Sequence, residues 1–302
     1  GAKAAPARAS RRSTEGSRVA LVTLRELLDA AEQGKYAVGA FNCNNMEIVQ
    51  AIVGAAQAER SPVIIQASQG AIKYAGLEYI SALGRLAAEK SSVPVALHLD
   101  HGTSFEQAVQ CIRYGFSSVM IDGSRLSFED NIALTLAVIR VARAVGVSVE
   151  AELGKIGGTE DDISVSDKEA RLTDPREAKS FVEQTGVDAL AVAIGTAHGV
   201  YRGKPELDFD RLKAITGAVN IPIVLHGSSG VPEEDLKRAI GYGVCKINID
   251  TDVRTAFMEG VKTVLETSPD EIDPRKVLGP AREKMEEQIR MKMRIFGSSG
   301  KA

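Results

Sequence analysis

From Val22 onward the chain alternates short apolar runs with amphipathic segments. Eight runs rich in Val, Ile and Ala stand out: Tyr36–Asn42, Pro62–Ser68, Pro94–Asp100, Ser117–Asp122, Val147–Glu152, Asp188–Gly195, Ile221–His226 and Val244–Ile249. Apolar runs this short, most of them closed by a polar residue or glycine, predict strands buried on both faces, as in a parallel sheet. Between them the helical period predicts helices over Glu47–Glu59, Leu77–Glu89, Phe105–Tyr114, Asn131–Ala144, Pro175–Gln184, Phe209–Thr216 and Glu233–Tyr242. Thr103-Ser104, Asp174-Pro175 and Pro232 supply helix-start punctuation. Strict β-then-α order implies right-handed parallel crossovers, and eight repeats imply closure into an α/β fold of the (β/α)8 TIM-barrel type. An open doubly wound sheet is the alternative.

The pattern extends beyond the eight repeats at both ends. Thr23–Gln33 predicts a leading helix that plugs or flanks the barrel, and Thr251–Glu266 and Pro274–Phe296 predict two closing helices. In the last, Met285, Ile289, Met293 and Phe296 form one apolar face, for packing on the barrel or on a second subunit. Residues 19–302 are expected to form a single barrel domain. Residues 1–18 carry five positive charges and one acid, Glu15, which fits a disordered tail or the remnant of a transit peptide.

Composition narrows the classes. Of 302 residues 44% are hydrophobic, and the net charge of −3 gives no electrostatic reason to expect nucleic acid. No apolar segment approaches the roughly 20 residues of a membrane helix. Cys43, Cys111 and Cys245 are scattered, without a CxxC pair, which favours a reducing compartment, and Cys43 and Cys245, at or in predicted strands, read as small buried hydrophobes.

The chemistry gathers at the predicted strand ends, which share one rim of such a barrel. That rim receives Asn42, Asn44, Ser68, Asp100 with His101, Asp122, Glu152, His198, His226 with Gly227-Ser228-Ser229-Gly230, and Asn248 with Asp250. His101, His198 and His226 each follow an apolar run and precede a glycine. Three imidazoles with an open position suit zinc or a related borderline metal, with Glu152 and Asp122 as added ligands or as groups orienting a ring. His98, an odd number of residues from His101, is expected on the opposite strand face, as a structural residue. The GSSG loop and the stretch Asn248-Ile249-Asp250-Thr251 each lead into a helix start, where backbone N–H groups favour a phosphate. The long glycine-hinged loop from Gly154 to Asp174 suggests a lid that carries Glu160 over the metal.

These motifs, His98-Leu99-Asp100-His101-Gly102, Glu152-Leu153-Gly154 with Gly157-Gly158, Gly195-Thr196-Ala197-His198-Gly199, the GSSG loop and Asn248-Ile249-Asp250-Thr251-Asp252, resemble in order and spacing the class II, metal-dependent fructose-bisphosphate aldolase family over about residues 20 to 296. The resemblance implies a dimer or tetramer that reversibly splits fructose 1,6-bisphosphate into dihydroxyacetone phosphate and glyceraldehyde 3-phosphate, in the cytoplasm or, if the leader is a transit peptide, in a plastid stroma. It makes His101, His198 and His226 the zinc ligands, with Glu152 near them. Asp100 becomes the acid/base at the C4 hydroxyl and Glu160 the mobile-loop proton carrier. Gly199, Gly227 and Ser229 match the dihydroxyacetone-phosphate end, assisted by a sodium or potassium ion. Asn44, Ser68, Asn248, Asp250 and Thr251 match further substrate contacts. Arg254 matches a residue that reaches the distal phosphate of a neighbouring subunit's substrate, and Arg202 stands where many relatives have lysine. Tagatose or sedoheptulose bisphosphate is the alternative substrate. A Schiff-base aldolase using Lys246 and a catalytically silent sugar-phosphate-binding barrel are the competing readings.

Overall fold

The computed structural model describes Leu21 to Ala302 apart from residues 161, 162, 167–169, 202 and 204, so the leader lies outside the described residues. In chain order the strands are β1 (Val38–Asn42), β2 (Val63–Ser68), β3 (Val95–Gly102), β4 (Ser118–Ile121), β5 (Ser148–Leu153), β6 (Gly157–Glu160), β7 (Ile163–Val165), β8 (Ala189–Val192), β9 (Ala197–His198), β10 (Ile223–Leu225) and β11 (Val244–Ile249). Eight of them close a parallel barrel in the order β1-β11-β10-β8-β5-β4-β3-β2, which excludes the open sheet. The other three form a small sheet, β7-β6-β9, laid over the carboxyl rim.

Helices cover the barrel: α1 (Leu24–Gly34), α2 (Met46–Glu59), α3 (Gln69–Ala75), α4 (Leu77–Lys90), α5 (Phe105–Arg113), α6 (Phe128–Ala144), α7 (Pro175–Thr185), α8 (Phe209–Ala218), α9 (Glu233–Gly241), α10 (Thr251–Thr267) and α11 (Pro274–Ile295). Ser104 caps α5 by accepting from the Gln107 N–H, and Asp174 caps α7 by accepting from Arg176 and Glu177. The period gives no sign of α3. It has seven residues and only Ala71 buried, and it starts on the Ser68 side chain and stops at Gly76.

The interior of the barrel is layered. At the amino end α1 is the plug: Leu24, Leu27, Leu28 and Ala31 pack against small inward residues such as Ala40, Ala96, Ala189 and Ala191. Thr23 and Glu26 fix its start through a reciprocal capping box. On the outside of the barrel α11 folds back over α2 and α10, with Met285, Ile289, Met293 and Phe296 all buried in the main core. Glu59 of α2 holds it there through Arg290 at 2.9 Å, Arg294 at 2.6 Å and Ser299 at 2.9 Å. Among the described residues no helix is long and apolar enough to cross a membrane.

Candidate active site

The site begins with a break in strand geometry. Along β3 the side chains of Ala96, His98 and Asp100 face inward by alternation, and His101 would face out. Instead His101 adopts φ +48°, and the register with β4 shifts between Leu99 and Gly102. A positive φ in a non-glycine residue is strained and persists only where its surroundings enforce it. The result is that Asp100 and His101, consecutive in sequence, both reach the barrel interior. His98 also points inward, against the expectation of an opposite face: its Nδ1 lies 2.8 Å from Ser118 Oγ and its Nε2 3.4 Å from Glu150 Oε2.

His101, His198 and His226 meet. Their ring centroids lie 4.7 to 5.9 Å apart, and one nitrogen from each falls within 4.8 Å of the others. The sixth barrel strand stops at Val192, so His198 comes not from its end but from β9, on the small overlying sheet. His101 Nε2 and His226 Nδ1 face each other at 2.9 Å, and each ring turns its far nitrogen to a carboxylate. His101 Nδ1 is 3.0 Å from Asp122 Oδ2, and His226 Nε2 is 2.8 Å from Glu150 Oε1. Glu152 Oε2 approaches the same centre, 3.8 Å from His101 Nδ1 and 3.9 Å from His226 Nδ1. Burial pushes the His226 imidazole down to about 4, so the ring is neutral near pH 7 and has a lone pair to give. Burial also opposes charge on Asp122 and Glu150, yet His101 beside the first and Lys246 beside the second hold both carboxyls below their usual range. Three convergent imidazoles, those of His101 and His226 buried and that of His198 half-buried, with acids around them are a donor set that fits a zinc-like divalent ion.

Asp100 is fully buried and gripped by amides. Asn42 Nδ2 donates to it at 2.8 Å, Gln66 Nε2 at 3.2 Å and Asn248 Nδ2 at 3.3 Å. Three strands therefore fix the orientation of one carboxylate.

The two expected anion segments adjoin. Ser229 Oγ accepts from the Asp252 N–H at 3.2 Å, joining the GSSG loop to the start of α10, where Asp250 makes no side-chain cap bond. His198, Gly199, Gly227, Ser229, Thr251 and Arg254 are among the residues that line a narrow cleft there. Arg254, paired with Asp250 at 2.5 Å, also borders a wider hollow that includes Asn44, Lys73 and Tyr74. Ser68 sits at the end of β2, where it caps α3. In the stretch read as a lid, the described residues form a hairpin of β6 and β7 whose base is tied by the paired Lys155 and Arg171 backbones. Gly158 and Gly227 let it and the phosphate loop close on β9 from two sides. At φ +94° and +61° they bring backbone so near that a Cβ would lie 2.2 Å from His198 O and 2.6 Å from Ala197 O. Glu160 ends β6, and its side chain and all of Arg202 lie outside the described residues.

Four contributors escaped the sequence reading. Gln66 orients Asp100. Tyr201 donates to Gly227 O at 2.7 Å and accepts from the Ala197 N–H at 2.8 Å, pinning the phosphate loop to β9. Glu150 and His98 form a buried polar layer beneath the histidines with Lys246, whose Nζ lies 2.9 Å from Glu150 Oε2. Their trace in the sequence is period two: Glu150 with Glu152, His98 with Asp100 and Lys246 with Asn248 share inward faces. Lys246 is fully buried in an ion pair, which leaves no reachable neutral amine for the Schiff-base reading. Cys43 and Cys245 are buried, as expected of packing residues, and so is Cys111; burial pushes each thiol up to about 12.

A closed (β/α)8 barrel that gathers three imidazoles and flanking carboxylates at its carboxyl rim defines a barrel able to hold a divalent ion where such folds keep their chemistry. The sequence pattern of the class-II fructose-bisphosphate aldolases matches residues 22–301, and the chain belongs to that family. It is 48% identical to a fructose-bisphosphate aldolase of Thermus caldophilus over 93% of this chain and 100% of that protein. It is 45% identical to a sulfofructosephosphate aldolase of Alkalicoccus urumqiensis over 94% and 99%. Among solved structures, the YdjI aldolase of Escherichia coli K12 superposes with a TM-score of 0.82 at 35% identity, over 93% of this chain and 99% of that one.

Proposed function

We propose that this chain is a zinc-dependent aldolase that reversibly cleaves fructose 1,6-bisphosphate to dihydroxyacetone phosphate and glyceraldehyde 3-phosphate. The observation that carries the reading is the convergence of His101, His198 and His226 beside Asp100. His101, His198 and His226, with Glu152 close by, would hold the ion, and Asp122 would orient His101. Zinc bound there supplies the Lewis-acid sink for the electron pair released beside the ketone. Asp100, held by its three amides, takes the proton of the C4 hydroxyl. The C3–C4 bond breaks, its electrons move toward the C2 carbonyl, and glyceraldehyde 3-phosphate leaves. Glu160 returns a proton to C3, giving dihydroxyacetone phosphate.

Gly199, Gly227 and Ser229 bind the phosphate at the dihydroxyacetone end, with a sodium or potassium ion as helper. Asn44, Ser68, Asn248, Asp250 and Thr251 contact the sugar, and Arg202 and Arg254 serve its phosphates. Residues 19–302 act as one domain, in a homodimer or homotetramer in the cytoplasm. A coupled assay on the zinc-loaded chain, with and without chelator, tests the reading. Turnover of fructose bisphosphate in preference to tagatose and sedoheptulose bisphosphates, abolished by chelation, is expected. Activity that survives exhaustive chelation, or no turnover in the zinc-loaded chain, overturns it.

A further inference from the structure

Below the three histidines the barrel interior carries a layer that packing alone does not call for. Interiors of such barrels are ordinarily filled by branched apolar side chains. Here Glu150, Lys246 and His98 occupy that level, each fully buried. A buried ion pair is a poor means of stabilising a core, since apolar residues of similar volume often do as well or better. The arrangement has a direction. Glu150 Oε1 lies 2.8 Å from His226 Nε2, while Glu150 Oε2 lies 2.9 Å from Lys246 Nζ and 3.4 Å from His98 Nε2. His98 is braced in turn by Ser118 at 2.8 Å. One carboxylate oxygen thus lies against Lys246 Nζ and His98 as a close ionic contact, and the other hydrogen-bonds the His226 imidazole.

We infer that Glu150 is a positioning residue for the metal centre, fixing His226 as the Nε2–H tautomer with its Nδ1 lone pair aimed at the ion, and that Lys246 and His98 lock Glu150 in that role. The inference rests on the zinc-aldolase reading and deepens it. An imidazole with its proton on Nδ1 would present no lone pair to the centre. A carboxylate behind Nε2 removes that state and makes the ring a better donor. Asp122 stands in the same relation to His101, with the ring nitrogens exchanged, so the two rings enter the centre through opposite atoms. Glu150 is not itself a ligand in this arrangement. It belongs to neither group of side chains able to share an ion, and the Lys246 ammonium at its second oxygen would repel one.

The test uses the full chain loaded with Zn2+, affinity being read by competition with a chromophoric chelator and the His226 tautomer by 15N NMR of the ring nitrogens. The zinc-loaded parent should show His226 protonated on Nε2. The charge-balanced double variant E150L/K246M, its folding checked by circular dichroism, should lose zinc affinity by roughly 10–100-fold and lose the Nε2–H signature. E150Q keeps a carbonyl oxygen that accepts from Nε2–H and should retain the tautomer with a smaller loss of affinity. Should the double variant fail to fold, the parent spectrum and E150Q decide. A His226 proton on Nδ1 in the parent, or a folded E150L/K246M with unchanged zinc affinity, overturns the inference. A parent that binds no zinc would instead bring down the aldolase reading, so the two failures are distinguishable.

Discussion

In the proposed mechanism Asp100 and His101 divide two tasks between neighbouring residues, one the proton transfer and the other metal ligation. Replacing Asp100 by Ala should lower kcat roughly 10²–10⁴-fold while leaving bound zinc unchanged, as measured by steady-state rates and metal analysis on one preparation. Loss of metal along with turnover would mean that Asp100 serves the centre rather than the substrate. The buried His226 gives a pH signature in the metal-free chain. Its folded value of about 4 lies below the 6.5 of a free imidazole, so in that window the unfolded chain binds more protons. The melting temperature of the metal-free protein should therefore fall on acidification from pH 6.5 toward 4, and H226Q should flatten that fall. A melting temperature that rises over this range would contradict it. At this scale the sequence was legible for residues at strand ends, where position alone implies chemistry. The inward turn of His101 was not, because a φ of +48° is imposed by the fold and leaves no trace in residue type. Glu150 was hidden for a related reason: a charge inside an apolar run reads as a tolerated residue until its partners, distant in sequence, are known.

Helices and barrel strands were legible because each repeats a pattern that periodicity detects. The hairpin over the rim was not. Its strands β6 and β7 are only four and three residues long, and the pairing of Gly157 and Gly158 with Ala197 and His198 joins segments about 40 residues apart, so the stretch reads as an open lid. Its fit depends on Gly158, where any side chain meets the His198 carbonyl. Gly158→Ala should move β9 and with it His198, costing zinc affinity in a chelator competition while the barrel melts within a few degrees of the parent, since such local strain is worth about 1–3 kcal/mol. Unchanged affinity would show that β9 does not need the hairpin. On the opposite side, Glu59 carries three partners that clamp α11. Glu59→Ala should lower stability by about 1–3 kcal/mol in denaturant unfolding and speed amide exchange in α11 first.

The whole molecule keeps stability and chemistry at opposite ends of one barrel. Helix α1 and the alanine-rich inner layer close the amino end, a buried polar layer lies in the middle, and the three convergent histidines and the GSSG loop crown the carboxyl end. That polarity is why the architecture could be read from sequence: every barrel strand delivers its last residues to the same rim, so strand ends name most of the residues that gather there, while His198 arrives from β9. What the list lacks is depth, the second tier of Gln66, Glu150, Lys246 and Tyr201 that aims the first. The most direct measurement is a titration of the metal-stripped chain with zinc while cleavage of fructose 1,6-bisphosphate is followed. Activity should rise from none, in proportion to zinc, and level off at one ion per chain, whereas a stripped chain that is already fully active would contradict the account at its centre.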